Sequence, residues 1–164
     1  MTSELQKILL FLEEINIKTI EKELDDTTFL PGLTLGSDCI IIDHSKLKYP
    51  GDILHEAGHL AVTPSEDRKN IGTDLMSKDW PTQGDEIGAM LWSFAASHHL
   101  DLPLECVFHP NGYKGSADWL IDSYKDENYI GLPFLEWAGL TLGKVRAEQE
   151  NKEAFPVMQQ WLRE

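Results

Sequence analysis

Residues 50–62 read PGDILHEAGHLAV and contain an H-E-x-x-H motif. His55 and His59 are four residues apart, and on an α-helix this spacing places both imidazoles on one face, where they can bind one metal ion. Glu56 is rotated from His55 by about 100° around the helix axis, so its carboxylate can reach a water molecule bound to that metal. The alternative is an ordinary helix with two surface histidines, because three fixed positions also recur by chance.

The remaining residues of this helix favour an active-site helix. Leu54, Ala57 and Ala61 lie on the side opposite the histidines, so we expect that side to pack on a core. Gly58 costs about 1 kcal/mol relative to alanine inside a helix. The close approach of another backbone would explain its presence.

The composition is that of an ordinary globular protein. The chain has 164 residues, 41% of them hydrophobic and 26% charged, and we expect a single domain over residues 1–164 because no repeat or linker is apparent. With 14 basic and 28 acidic residues the net charge is −14, which argues against nucleic acids and anionic membranes as partners. The sequence does not predict an oligomeric state.

Two further features bear on the expected location. The apolar run at residues 8–12 has acidic neighbours and no basic region before it, which predicts an amphipathic helix and not a signal peptide or a membrane span. The two cysteines, Cys39 and Cys106, are far apart and form no metal-binding or redox motif. Free thiols are typical of a cytoplasmic protein, which is the location we expect.

The order of predicted elements indicates an α+β fold. Residues 3–15 are predicted to form a helix with Ser3 as its N-cap. Strand-like runs at residues 28–30 and 39–42 are separated by turn residues, which predicts a small antiparallel sheet. Further helices are predicted at residues 50–62, 82–99, 116–125, 133–142 and 146–163.

A catalytic metal site needs a third protein ligand and one position left open for water. The metzincin arrangement is excluded, because Val62 and Ser65 stand where its glycine and third histidine would be. Glu86 is the better candidate, because it lies on a mostly apolar helix where a buried carboxylate needs a charged partner. Asp85 competes as a ligand from a different side of that helix. A further alternative is that Glu86 is an exposed first-turn carboxylate favoured by the helix dipole.

The two motifs together resemble those of the ImmA/IrrE-type gluzincin metallopeptidases. The H-E-x-x-H helix is followed by Glu86-x-x-Ala89 and a Phe94-Ala95-Ala96 run, and the resemblance covers residues 28–103. It implies a minimal zincin-like domain, with a small sheet packed on the active-site helix and further helices towards the C-terminus. It also implies His55, His59 and Glu86 as metal ligands and Glu56 as general base.

Two residues of a later loop are candidates for stabilising a transition state. His109 or Tyr113 can donate a hydrogen bond to the oxyanion of a tetrahedral intermediate, although both can equally be ordinary polar residues of a turn.

Taken together, these features predict a zinc-dependent hydrolase, most specifically a metallopeptidase that acts on a peptide or protein substrate. One Zn²⁺ ion is the expected cofactor, although two histidines and a carboxylate also accept other divalent metals. The alternative function is that of a catalytically inactive metal-binding scaffold that serves as a protein-interaction module.

Overall fold

The computed structural model describes residues 2–164, which form three strands and seven α-helices. The strands are β1 (Lys18–Glu21), β2 (Leu33–Gly36) and β3 (Cys39–Ile42). The helices are α1 (Ser3–Glu14), α2 (Asp52–Val62), α3 (Ser65–Arg68), α4 (Gln83–His99), α5 (Ala117–Lys125), α6 (Leu132–Trp137) and α7 (Lys144–Glu150). The predicted α+β class is confirmed.

The sheet is mixed and has the strand order β1-β3-β2. β1 runs parallel to β3 and β2 runs antiparallel to it, so the predicted antiparallel sheet describes only one of the two pairings. β3 was predicted correctly, but the strand predicted at residues 28–30 is wrong. Leu30 makes only an isolated bridge to Leu33, and the strand begins after the turn at Gly32, whose φ of 72° turns the chain.

The core is built where α2 and α4 pack against each other and against α1. Leu54, Ala57 and Ala61 of α2 are fully buried, which confirms the prediction that this side of the helix packs on a core. α4 is buried from Gly88 to Ser97 except at the half-buried Met90, as its apolar composition predicts. The N-cap of α1 is Thr2 and not Ser3, because the Thr2 hydroxyl accepts a hydrogen bond from the Leu5 N–H at 3.2 Å.

The C-terminal region contains less helix than predicted. α6 and α7 are both shorter than the helices predicted at residues 133–142 and 146–163. α7 ends at Glu150, and its C-cap Asn151 adopts a left-handed conformation with φ of 53°. The tail beyond it is irregular, and Arg163 donates its backbone N–H to the carbonyl of Ala61 at the end of α2. Within residues 2–164, no helix is both long and apolar enough to cross a membrane.

Candidate metal centre

α2 and α4 cross with almost no space between their backbones. A Cβ atom added at Gly58 would lie 2.6 Å from the carbonyl oxygen of Ala89 and 3.0 Å from its Cα. Both distances are too short for an ordinary Cβ contact, so no side chain fits there. The predicted close approach at Gly58 is confirmed, and it brings the histidines of α2 next to the first turn of α4.

Three side chains meet at this crossing and are called here the His–His–Glu cluster (His55, His59 and Glu86). The Nε2 atoms of the two imidazoles are 3.2 Å apart. The Oε1 atom of Glu86 lies 3.0 Å from His55 Nε2, and its Oε2 atom lies 3.0 Å from His59 Nε2. The histidine side chains are 12% and 6% exposed and the Glu86 side chain is 43% exposed, so the cluster opens to solvent on the Glu86 side.

The spacing of these donors fits a single metal ion. A tetrahedral zinc site with bonds of about 2.0–2.1 Å separates neighbouring donor atoms by roughly 3.3 Å, and the spacings here are 3.0–3.2 Å. Hydrogen bonds can also pair each Nε2 atom with one oxygen of Glu86. They leave the two Nε2 donors only 3.2 Å apart, whereas a shared cation would bind all three groups.

Glu86 is strongly acidic in this setting. The hydrogen bonds from His55 and His59 hold the pKa of its carboxyl well below the usual range, and burial opposes this effect only partly. The carboxylate is therefore ionised at neutral pH, as a metal ligand must be. Asp85, the competing candidate, instead forms a capping box with Thr82, whose backbone N–H donates to the Asp85 carboxylate at 2.8 Å.

Glu56 lies beside the cluster, and its carboxylate is within 4.8 Å of ligand atoms of His55 and His59. Burial raises its pKa to about 7, an effect opposed by His55 and reinforced by the negative charges of Glu86 and Asp52. A cation bound nearby would favour the ionised form and lower this pKa. A carboxylate in this position can take up and release a proton near neutral pH.

Tyr113 lies on the other side of His55. Its hydroxyl is 3.4 Å from the Nδ1 atom of His55, and the two rings are perpendicular with centroids 5.6 Å apart. Burial raises the pKa of the Tyr113 phenol well above its ordinary value, so the hydroxyl keeps its proton. Tyr113 is thus placed to orient His55 or to donate a hydrogen bond into the site, and its role as a transition-state stabiliser stays a prediction.

His109 contacts Asp52 and Tyr49, two residues that the sequence did not mark as functional. Its Nε2 atom lies 2.7 Å from Asp52 Oδ1, and its ring stacks on Tyr49 with centroids 3.8 Å apart. His109 and Asp52 are both buried, so His109 contacts the first turn of α2. His109 also lines the same cleft as His55 and Glu86, and its role as a transition-state stabiliser stays a prediction. Asp52 was overlooked because an acidic residue at the start of a helix is common without any functional role.

His55 and Glu86 of the cluster line a cleft with a volume of about 650 Å³. Its lining comprises Phe29, Leu30, Pro31, Lys48, Tyr49, Asp52, His55, Glu86, His109, Asn111, Gly112, Tyr113 and Lys114. A cleft of this size is typical of sites that bind small ligands or a short segment of a larger one.

No protein-family profile matches the chain, and neither the curated proteins nor the solved structures yield a match. The resemblance to ImmA/IrrE-type peptidases therefore stays a hypothesis that rests on the motifs.

Proposed function

We propose that this chain is a zinc-dependent metallopeptidase of the gluzincin type, with a minimal zincin-like fold. The observation that carries the proposal is the convergence of His55, His59 and Glu86 to within 3.0–3.2 Å of one another. Glu56 lies beside them, with a carboxylate oxygen within 4.8 Å of a ligand atom of His55 and of His59. The cleft that His55 and Glu86 line would give an extended peptide access to the cluster.

Each residue of the site has a separate task in the proposed hydrolysis. His55, His59 and Glu86 would hold the ion, which when bound lowers the pKa of water and polarises a carbonyl group. Glu56 accepts the proton of the attacking water and returns it to the leaving amine. The protonated Tyr113 hydroxyl donates a hydrogen bond to the substrate oxygen on which negative charge develops.

We further propose that the protein does not act on or bind nucleic acid and that it is cytoplasmic, and two properties of the chain support this. The net charge of −14 disfavours nucleic acid as a substrate or partner, because phosphate backbones are repelled. Cys39 and Cys106 are both free thiols, which supports a cytoplasmic location.

One observation favours a second candidate, a zinc-binding scaffold without catalytic activity. The side chains of Trp119 and Trp137 are 56% and 72% exposed, and exposed tryptophans are frequent at protein interfaces. Stoichiometric zinc in a protein that cleaves no member of a broad peptide library would support this function over the peptidase.

The replacement of Glu56 by glutamine tests the proposed mechanism. The amide keeps the size of the side chain but cannot accept the proton, so we expect hydrolysis to fall by a factor of about 100 or more while zinc stays bound. The control is Glu66→Gln, which removes an exposed carboxylate of α3 and should leave the rate unchanged. A Glu56→Gln protein that hydrolysed peptides at the wild-type rate would exclude Glu56 as the base.

A further inference from the structure

The cleft contains two positive charges that no carboxylate neutralises. Lys48 and Lys114 both line it and are both exposed. Within residues 2–164, neither lysine has an acidic group within ion-pair distance.

The two acidic groups of the cleft lining are already engaged. Asp52 accepts the hydrogen bond of His109 at 2.7 Å, and Glu86 lies between the two histidines of the cluster. Lys48 and Lys114 are therefore the charged groups of the lining that remain free to contact a substrate. The lining thus contributes two free positive charges in a protein whose net charge is −14.

The same cleft presents an apolar wall. Phe29 is 97% exposed and is followed in the lining by Leu30 and Pro31. Covering an exposed aromatic ring with another apolar group removes both surfaces from water and lowers the free energy. A substrate side chain that packs on Phe29 would provide that cover.

We propose that the cleft selects a peptide segment in which a carboxylate is adjacent to a large apolar side chain. The carboxylate contacts Lys48 and Lys114, and the apolar side chain packs on Phe29. This inference rests on the proposed peptidase function and specifies its substrate class. The carboxylate can belong to an acidic side chain or to the C-terminus of the peptide, since the two groups have the same chemistry.

Binding measurements on the zinc-loaded Glu56→Gln protein test the inference without turnover. The probes are three fluorescein-labelled octapeptides with an amidated C-terminus and a single leucine. They differ only in the residue next to the leucine, which is glutamate, glutamine or lysine. A fourth peptide has glutamine next to a C-terminal leucine whose carboxylate is free, which separates the two sources of carboxylate. Dissociation constants are obtained from fluorescence anisotropy at low and at physiological ionic strength.

We expect at least one carboxylate peptide to bind roughly tenfold more tightly than the lysine peptide at low salt, as two exposed ion pairs allow. The ratio should shrink as salt is added, because exposed charges are screened. In the double variant Lys48→Glu/Lys114→Glu the preference should reverse. The control is Lys69→Glu/Lys125→Glu, which changes the net charge equally at two exposed lysines outside the cleft lining.

The outcomes separate this inference from the proposed function. Equal affinities for all peptides, or a preference that both double variants change alike, would overturn the selection by Lys48 and Lys114. Cleavage by the wild-type protein without such a preference would leave the peptidase function standing. If the preference reverses as expected but the wild-type protein cleaves none of the peptides, the selection by Lys48 and Lys114 is supported and the proposed hydrolysis is refuted.

Discussion

The substitution Gly58→Ala places one methyl group at the crossing of α2 and α4. The new Cβ would lie 2.6 Å from the carbonyl oxygen of Ala89 and 3.0 Å from its Cα. Both contacts are with backbone, which cannot rotate away as a side chain can. The two helices must therefore separate by several tenths of an ångström, although the facing residues of both are fully buried.

The expected loss of stability follows from two opposing effects. Overpacking of a buried contact costs about 1–3 kcal/mol. Because the new methyl group meets rigid backbone, we expect a cost near the upper end of this range. Alanine regains about 1 kcal/mol through its better helix propensity. The free energy of unfolding should fall by about 2 kcal/mol, which corresponds to a decrease in Tm of roughly 4–8 °C for a chain of this size.

The separation should also weaken metal binding, because the histidines and Glu86 lie on different helices. We expect the zinc affinity to fall by about tenfold, similar to changes in groups that orient metal ligands. Urea unfolding of the metal-free protein measures the stability, and chelator competition measures the affinity. The control is Gly84→Ala in α4, where the nearest contact of a Cβ is the Thr82 Oγ1 atom at 3.7 Å. A Gly58→Ala protein that matched Gly84→Ala in both measurements would refute the reasoning.

Two more substitutions test other contacts of the site. Tyr113→Phe removes the hydroxyl that lies 3.4 Å from Nδ1 of His55, so the zinc affinity measured by chelator competition should fall by roughly tenfold. An unchanged affinity would show that Tyr113 does not orient His55. Arg163→Ala removes a 3.1 Å hydrogen bond to the Val62 carbonyl and a guanidinium 4.7 Å from the Trp137 ring centroid. Urea unfolding should show a loss of about 1–2 kcal/mol, against less than about 0.5 kcal/mol for Arg146→Ala, whose ion pairs are on the surface. Equal losses in the two arginine variants would contradict this account of the C-terminal tail.

The sequence was sufficient to predict the central helices, because their signals are local. The i, i+4 spacing of His55 and His59 and the apolar residues opposite them define α2, and the glycine between them indicates the crossing. The position of Glu86 relative to the histidines followed from the motifs, but only the packing of α4 shows that its two carboxylate oxygens reach one histidine each. The binding of metal by these residues stays a prediction.

Elements that depend on distant partners could not be predicted in the same way. The residues of β1 include one half-buried apolar residue, Ile20, and are otherwise exposed, so no alternating pattern marks the strand. Its pairing with β3 is parallel and non-local. The apolar residues at 154–162 have helical spacing, yet the left-handed Asn151 ends α7 and the tail packs through Trp161 on Trp92, whose Nε1 donates to the Trp161 carbonyl at 2.9 Å.

The central claim is that His55, His59 and Glu86 together bind one divalent ion. The most direct test is the zinc content and zinc affinity of the purified protein, measured by elemental analysis and chelator competition, for the wild type, His55→Ala, Glu86→Ala and Glu56→Gln. We predict one zinc per chain in the wild type and in Glu56→Gln, and at least tenfold weaker binding in the other two variants. A wild-type protein that binds no zinc or other divalent metal, or a Glu86→Ala protein that binds it as tightly as the wild type, would contradict the claim.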